Sequence, residues 1–377
     1  MRSAEPRPRS LPRRLLLYGL AALLPALLIL LLLEGAARLY VQAQYGVPGK
    51  SYGLWRADEE LGAQHAENAY NTRYQTNDYG FRNPEPLIQP KPAGAWRLIA
   101  YGGSTTFCYD LGDAETWPAR LEGLLRQTHH PSDQVLNAGA IAWSLGHAFA
   151  RARKDIPALA PDLVLIYSGI NEDLNARALA AEGVSIERLV RAGDYGRFAR
   201  SLSQNSWLQR NSVVLKLLDH WLAPWVRDAG LGMAPPGSTD EVPTAPDPAI
   251  LENYLRTLEA FLDFAHEQGA RTLFVAQTHG GNNKINAYLT SYSRAGIEVA
   301  RARGALVVDA ETLVASYDGD PMDLFSPSGV HYSPLGAQRL AELILTEALR
   351  TGDQTGGGAD HHGASRATPD DETSPPP

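Results

Sequence analysis

Five short apolar runs, separated by turns and helical stretches, constrain this chain more than any other feature. They are Leu98–Tyr101, Gln134–Asn137, Leu163–Tyr167, Arg271–Gln277 and Ala305–Asp309. Between them lie segments of helical spacing. Thr116–Leu125 is one, and Ala287–Arg303 is another. The clearest starts with Asp247 as N-cap and Pro248 at the first helical position, and ends before Gly269. Its apolar set, Ile250, Leu251, Tyr254, Leu255, Leu258, Phe261, Leu262 and Ala265, recurs at helical intervals. A last helix runs from Pro334 to Leu349, with Ser333 as its N-cap. Apolar strands alternating with helices predict an α/β fold: a three-layer, doubly wound, flavodoxin-like sheet of about five parallel strands. Ligands in such sheets bind beyond the carboxyl ends of the strands.

The amino terminus is of another kind. Arg2, Arg7, Arg9, Arg13 and Arg14 precede Leu15–Leu33, which carries no charge. About 20 apolar residues at 1.5 Å each cross a bilayer core of roughly 30 Å. A cleaved signal peptide is the competing reading, but the run exceeds an ordinary signal core, and Val41-Gln-Ala43 lies well beyond it. We therefore expect an uncleaved transmembrane helix, 15–33, behind a cytoplasmic basic stretch, 1–14. The arginines place everything after Glu34 in the periplasm or otherwise outside the cytoplasm. Residues 34–96 read as a connector packed on the domain edge and 97–350 as the main domain. Within it, 173–246 interrupts the alternation with helical stretches carrying Trp207, Trp221 and Trp225, then a Pro/Gly-rich loop. The tail, 351–377, lacks the apolar residues for a core and is expected to be disordered.

With 377 residues, 44% of them hydrophobic, the chain can bury one large core with appendages. A net charge of −8 without a basic stripe argues against a nucleic-acid partner. Cys108 is the only cysteine, which excludes an intrachain disulfide and a multi-cysteine metal site. It reads as a small buried hydrophobe.

Chemistry-bearing residues fall just after the strands. The stretch Arg97–Phe107, RLIAYGGSTTF, is a strand, a Gly102-Gly103 turn and then Ser104. That arrangement exposes the hydroxyl at the sheet's edge. Asn137, Gly139 and Ala142 follow the second strand and Asn171 the third, while His331 lies just before the last helix. A plain turn or phosphate loop would explain any one of them. Together they supply a hydroxyl nucleophile, an imidazole base and donors for an oxyanion, the parts acyl transfer needs. His279 and Asn282-Asn283, after the fourth strand, either line that pocket or satisfy a turn.

Four blocks carry a family likeness. Gly102-Gly-Ser104-Thr-Thr106, Asn137-Ala-Gly-Ala-Ile-Ala-Trp-Ser144, Gly169-Ile-Asn171-Glu172 and Gly329-Val-His331 resemble, in order, the blocks of the SGNH/GDSL hydrolases. The likeness spans about Tyr74–Leu349, including the lead-in Asn77-x-x-Gly-Phe-Arg82, and is greatest to the membrane-anchored bacterial branch. It implies Ser104 as nucleophile and His331 as general base. It also implies an oxyanion hole from the Ser104 amide, the Ala142 amide and the Asn171 side chain. The family has glycine where this chain has Ala142, so that donor serves if φ stays negative; Gly139 is the fallback.

The main departure is Ser328, where the family usually has an aspartate that orients the histidine. Three outcomes are open. Ser328 orients the ring in a Ser–His dyad, another carboxylate, such as Asp323, Glu172 or Asp173, substitutes, or the site only binds. The implied activity is a serine esterase or acylhydrolase using no metal and no cofactor, on an ester-bearing small molecule, lipid or glycan. An O-acyltransferase acting on envelope glycan and a non-catalytic carbohydrate-binding or assembly protein are the alternatives.

Overall fold

The computed structural model describes residues 11–350, apart from 59, 72, 175, 177–211, 216, 219–221, 223–244 and 282. Residues 1–10 of the 1–14 basic stretch, most of the 173–246 insertion with its three tryptophans, and the 351–377 tail lie outside the described residues. The sheet has five strands: β1 (Arg97–Gly102), β2 (Gln134–Asn137), β3 (Leu163–Tyr167), β4 (Arg271–Ala276) and β5 (Leu306–Asp309). All pairings are parallel, in the order β2-β1-β3-β4-β5. The strand order reverses beside β1, so the crevice at its carboxyl end is the switch point where such sheets bind ligands. Four strands are buried along almost their whole length, as their continuous apolar runs require.

Alternate residues of each strand serve opposite faces. Leu98 and Ala100 of β1, with Val135, Leu165 and Val275, pack under two helices, Trp117–Thr128 and Pro334–Arg350. Ile99 and Tyr101, with Leu136, Ile166 and Phe274, pack under Leu145–Leu159, Pro248–Glu267 and Asn283–Ala302. The apolar set read for the 248–267 helix supplies Tyr254, Leu258, Phe261, Leu262 and Ala265 to that second core. Asp247 caps this helix by accepting from the Ala249 and Ile250 amides.

The amino-terminal helix, α1 (Leu11–Tyr45), outruns the apolar segment by a dozen residues. From Gly35 to Tyr45 no proline intervenes and the one glycine is Gly35, and the first strong break is Gly46-Val47-Pro48. Leu27 to Leu33 are all exposed, while Val41 is buried against Tyr70, Val213 and Leu217. Glu34, at the boundary between these two stretches, accepts hydrogen bonds from the Ser212 hydroxyl and the Val213 and Val214 amides. One helix among the described residues, Leu23–Tyr45, is long and apolar enough to cross a membrane.

Between α1 and β1, residues 51–52 and 69–70 pair in parallel and 55–58 and 62–65 antiparallel. This connector lies against the loop that follows β1, with Arg82 as its principal tie.

Candidate active site

Ser104 opens a one-turn helix, α2 (Ser104–Phe107), directly after β1. The turn works because Gly102 and Gly103 are glycines. A Cβ at Gly102 would fall 2.1 Å from the Tyr167 carbonyl oxygen, and one at Gly103 would fall 2.4 Å from the Asn171 side-chain nitrogen. The strand thus crosses close to β3 and leaves the serine hydroxyl at the open edge. The Asn171 amide lies beside the Gly103–Ser104 turn, and its Nδ2 donates to the Trp143 carbonyl at 2.8 Å. One N–H of that amide is spent on orientation, which leaves the other for a ligand.

His331 Nε2 lies 2.9 Å from Ser104 Oγ. Two of the predicted residues, 227 positions apart in sequence, therefore meet at the edge where the loops converge. The other ring nitrogen, Nδ1, lies 3.0 Å from Asp110 Oδ2. A carboxylate there accepts, so Nδ1 carries the proton and Nε2 is left to accept from the serine hydroxyl. The hydrogen bond from the ring, then that from Ser326, hold the Asp110 carboxyl below its ordinary value against the opposing effect of burial. The Arg73 guanidinium adds to this.

Of the three outcomes left open by the missing aspartate, the geometry matches the second, a carboxylate from elsewhere, but the residue is Asp110 and none of the three named. The ring turns to Asp110, and Ser328 touches it only indirectly: its Oγ lies 2.8 Å from Ser326 Oγ and accepts from the Val330 and His331 amides. None of the three proposed substitutes faces the imidazole. Asp323 Oδ2 accepts from the Tyr317 hydroxyl. Glu172 is buried and accepts from the Leu145 amide and the Ser168 hydroxyl. Burial pushes the Glu172 carboxyl up to about 7. Asp173 accepts from the Tyr292 hydroxyl and the Asp247 amide, which ties together the two ends of the insertion.

The second block also departs from expectation. Ala142 has φ +64°, not the negative φ assumed for it. The turn keeps the left-handed backbone natural to glycine and holds an alanine in it, at a cost of roughly 1–2 kcal/mol. Gly139 fails as a fallback donor, because its amide is committed to Asn137 Oδ1 at 3.0 Å. Asn137 itself donates from Nδ2 to the Thr106 carbonyl, bracing α2.

Of the remaining candidates, His279 serves a turn. Its Nδ1 accepts from the Gly281 amide, and its ring packs under Gly329 and stacks on Phe325. Asn282 lies outside the described residues, as does the side chain of Asn283. Cys108 is buried, and burial pushes its thiol up to about 12, so it stays protonated and inert.

Sequence reasoning missed three residues. Asp110 lies outside all four blocks and meets His331 across 221 positions. Gln277 donates to Thr105 Oγ1 and accepts from the Ile170 amide, stitching the Ser104 turn to the Asn171 turn. Arg82, fully buried, donates to the carbonyls of Phe107, Cys108 and Leu111 and pairs with Asp113. Its guanidinium also lies 4.4 Å from the ring centres of Tyr74 and Phe107. The lead-in Asn77-x-x-Gly-Phe-Arg82 held the signal for Arg82, although a run of residues does not say which loop a guanidinium will clamp.

This five-stranded parallel sheet, with the four blocks gathered at one edge of a three-layer α/β sandwich, is consistent with the SGNH fold. The model of the GDSL-like lipase/acylhydrolase family matches residues 100–339, and the chain belongs to that family. Among solved structures, the chain is similar to an acetylxylan esterase, Axe2, from Geobacillus stearothermophilus. The identity is 18% and the TM-score 0.41, covering 68% of this chain and 95% of that one. It is similar also to a lipolytic protein of the G-D-S-L family from Desulfitobacterium hafniense (17%, TM-score 0.40, covering 66% and 98%). A third is the lipase/acylhydrolase from Enterococcus faecalis (15%, TM-score 0.42, covering 67% and 94%). No curated protein matches the chain.

Proposed function

We propose that this chain is a serine esterase, tethered by α1 to a membrane and acting outside the cytoplasm on O-acyl groups of a glycan or lipid. The observation that carries this reading is the 2.9 Å approach of His331 Nε2 to Ser104 Oγ at the switch point of the sheet. In the reaction, Ser104 Oγ bonds to the ester carbonyl carbon as its proton passes to His331 Nε2. The oxyanion that forms is met by the Ser104 amide and by the second N–H of Asn171. Collapse breaks the bond to the alcohol oxygen, which leaves with the proton from His331. Water then gives a proton to the same nitrogen and attacks the acyl-serine. The acid departs and Ser104 regains its hydrogen.

A hydroxyl within hydrogen-bond reach of an imidazole nitrogen is the arrangement nucleophilic catalysis requires, and membership of an acylhydrolase family agrees with an ester substrate. The tether favours acyl groups held at an envelope surface over freely diffusing esters. The test is hydrolysis of p-nitrophenyl acetate by the purified full-length chain in detergent. Ser104→Ala and His331→Ala are each expected to lose at least about 10³-fold in kcat while staying folded. Full activity in the Ser104→Ala protein would end the nucleophile assignment.

A further inference from the structure

The family position for the histidine-orienting aspartate is occupied here by Ser328, yet the ring of His331 is not left without a carboxylate. Its Nδ1 faces Asp110, six residues beyond Ser104 on the same loop. We infer that the charge supporting His331 has moved across the cleft, from the histidine's own turn to the nucleophile's loop. Asp110 is the positioning residue, and Ser328 is recast as the first member of a hydrogen-bond chain that holds it. This inference rests on the Ser104–His331 reading above and names a residue that reading does not contain.

Donor and acceptor accounting fixes the direction of the chain. The Val330 and His331 amides, each 3.3 Å away, donate to Ser328 Oγ. The Ser326 hydroxyl donates to Asp110 Oδ2 at 2.7 Å, because a carboxylate has nothing to give. With its one hydrogen so used, Ser326 Oγ is an acceptor toward Ser328, 2.8 Å away, whose hydroxyl therefore donates. The series runs from backbone amides through two hydroxyls to one carboxylate oxygen, which also receives the imidazole Nδ1–H. Each link polarises the next toward the carboxylate.

The two ends are anchored separately. Ser326 also donates its amide to the His331 carbonyl at 2.7 Å, so the serine that grips Asp110 is fixed to the histidine's own backbone. On the other side, the Asp110 carbonyl accepts from Arg73, and Arg82 holds the carbonyls of Cys108 and Leu111 that flank it. The charged and titratable groups facing the carboxylate are thus Arg73 and His331, with Tyr74 near enough to feel its charge. During the reaction Asp110 accepts the Nδ1–H bond throughout and takes no proton. It keeps Nε2 free to receive the Ser104 hydrogen and faces the imidazolium that results.

A carboxylate added at 328 would gain little, because the ring already has its partner and two carboxylates would crowd one hydrogen-bond chain. That expectation is opposite to the one a missing family residue suggests, and it makes the inference testable.

The experiment compares the unaltered full-length chain with Asp110→Asn and Ser328→Asp. The readouts are kcat and KM on p-nitrophenyl acetate and the rate of Ser104 labelling by a fluorophosphonate. Asp110→Asn is expected to lose about 10³- to 10⁴-fold in kcat, with KM within about threefold and labelling slowed in parallel. Ser328→Asp is expected to show no gain. Retention of more than about a tenth of kcat in Asp110→Asn, a loss confined to KM, or a tenfold gain in Ser328→Asp would each overturn the inference. Should Asp110→Asn fail to fold, Ser326→Ala reads the same carboxylate from the other side. About a tenfold fall in kcat is expected there, and full activity would be the contrary result. Failure of the fluorophosphonate to label Ser104 in the unaltered chain would sink the esterase reading and this inference together. Equal labelling of the unaltered and Asp110→Asn chains would sink the inference alone.

Discussion

Two carboxylates stand at the same edge of the sheet, and their surroundings drive them in opposite directions. Asp110 is half-buried on the loop after β1, where the His331 ring and the Ser326 hydroxyl both donate to it and lower its proton affinity. Glu172 is wholly buried in the helical turn that follows β3, where two neutral donors, the Leu145 amide and the Ser168 hydroxyl, do not offset the loss of water. By sequence Glu172 is the better candidate, since it adjoins Asn171 inside a family block. By position it is a helix cap, closing the amino end of the 145–159 helix, where an acceptor is favoured. What a carboxylate faces decides its work, and nearness to a motif does not.

The two groups also give stability opposite dependences on pH. Asp110, lowered from 3.8, contributes stability that is present above that value and is lost as pH falls through its lower folded value. Glu172, raised from 4.5 to about 7, does the reverse. The folded state holds a proton there that the unfolded chain has released, so stability falls as pH rises from 4.5 to about 7, and the penalty is complete above that.

The most direct way to break the contrast is to make the same isosteric change at each. Asp110→Asn should show the largest effect, a loss of catalytic turnover of about 10³-fold or more. Glu172→Gln should leave kcat on the same ester within about threefold, and a comparable collapse in both would erase the distinction drawn here. Next in size is Arg82→Met, which strips the loop after β1 of its clamp and leaves the buried Asp113 without its ion-pair partner, with only the Lys50 charge still acting on it. A loss of about 3–5 kcal/mol is expected in urea unfolding, as for other buried pairs with one partner removed.

Glu172→Gln then sharpens the pH side of the comparison. Gln can still accept the Leu145 and Ser168 hydrogens, so the variant should be more stable than the unaltered chain by up to about 3 kcal/mol at pH 8, shrinking to nothing near pH 4.5. Thermal melts across that range would show whether the gap closes as the medium is acidified. The smallest effect belongs to Ala142→Gly, which relieves the left-handed strain of the second-block turn. It should raise stability by about 1 kcal/mol with no fall in kcat.

Much of the fold was legible because its signals are local. Continuous apolar runs marked all five strands to within a residue or two, and Asp247-Pro248 and Ser333-Pro334 marked two helix starts through side chains that cap within a turn. Ser104, Asn171 and His331 were legible as loop residues after strands, since a doubly wound sheet gathers those loops at one edge. Asp110 was not, because its role depends on a contact between the loop after β1 and the loop before the last helix, and no local pattern encodes that distance. The φ of Ala142 was hidden for a different reason: an alanine advertises negative φ, and only the surrounding turn overrides it.

Arg82 has a consequence for how Ser104, Asp110 and His331 can move. By gripping three carbonyls between residues 107 and 111 it welds hydroxyl and carboxylate into one rigid jaw, set on the sheet. The imidazole sits on the opposing jaw, between Ser326 and the last helix. On the proposed esterase reading, any tightening or slackening of this vice falls first to that second jaw, which meets the first through the Ser326 hydroxyl.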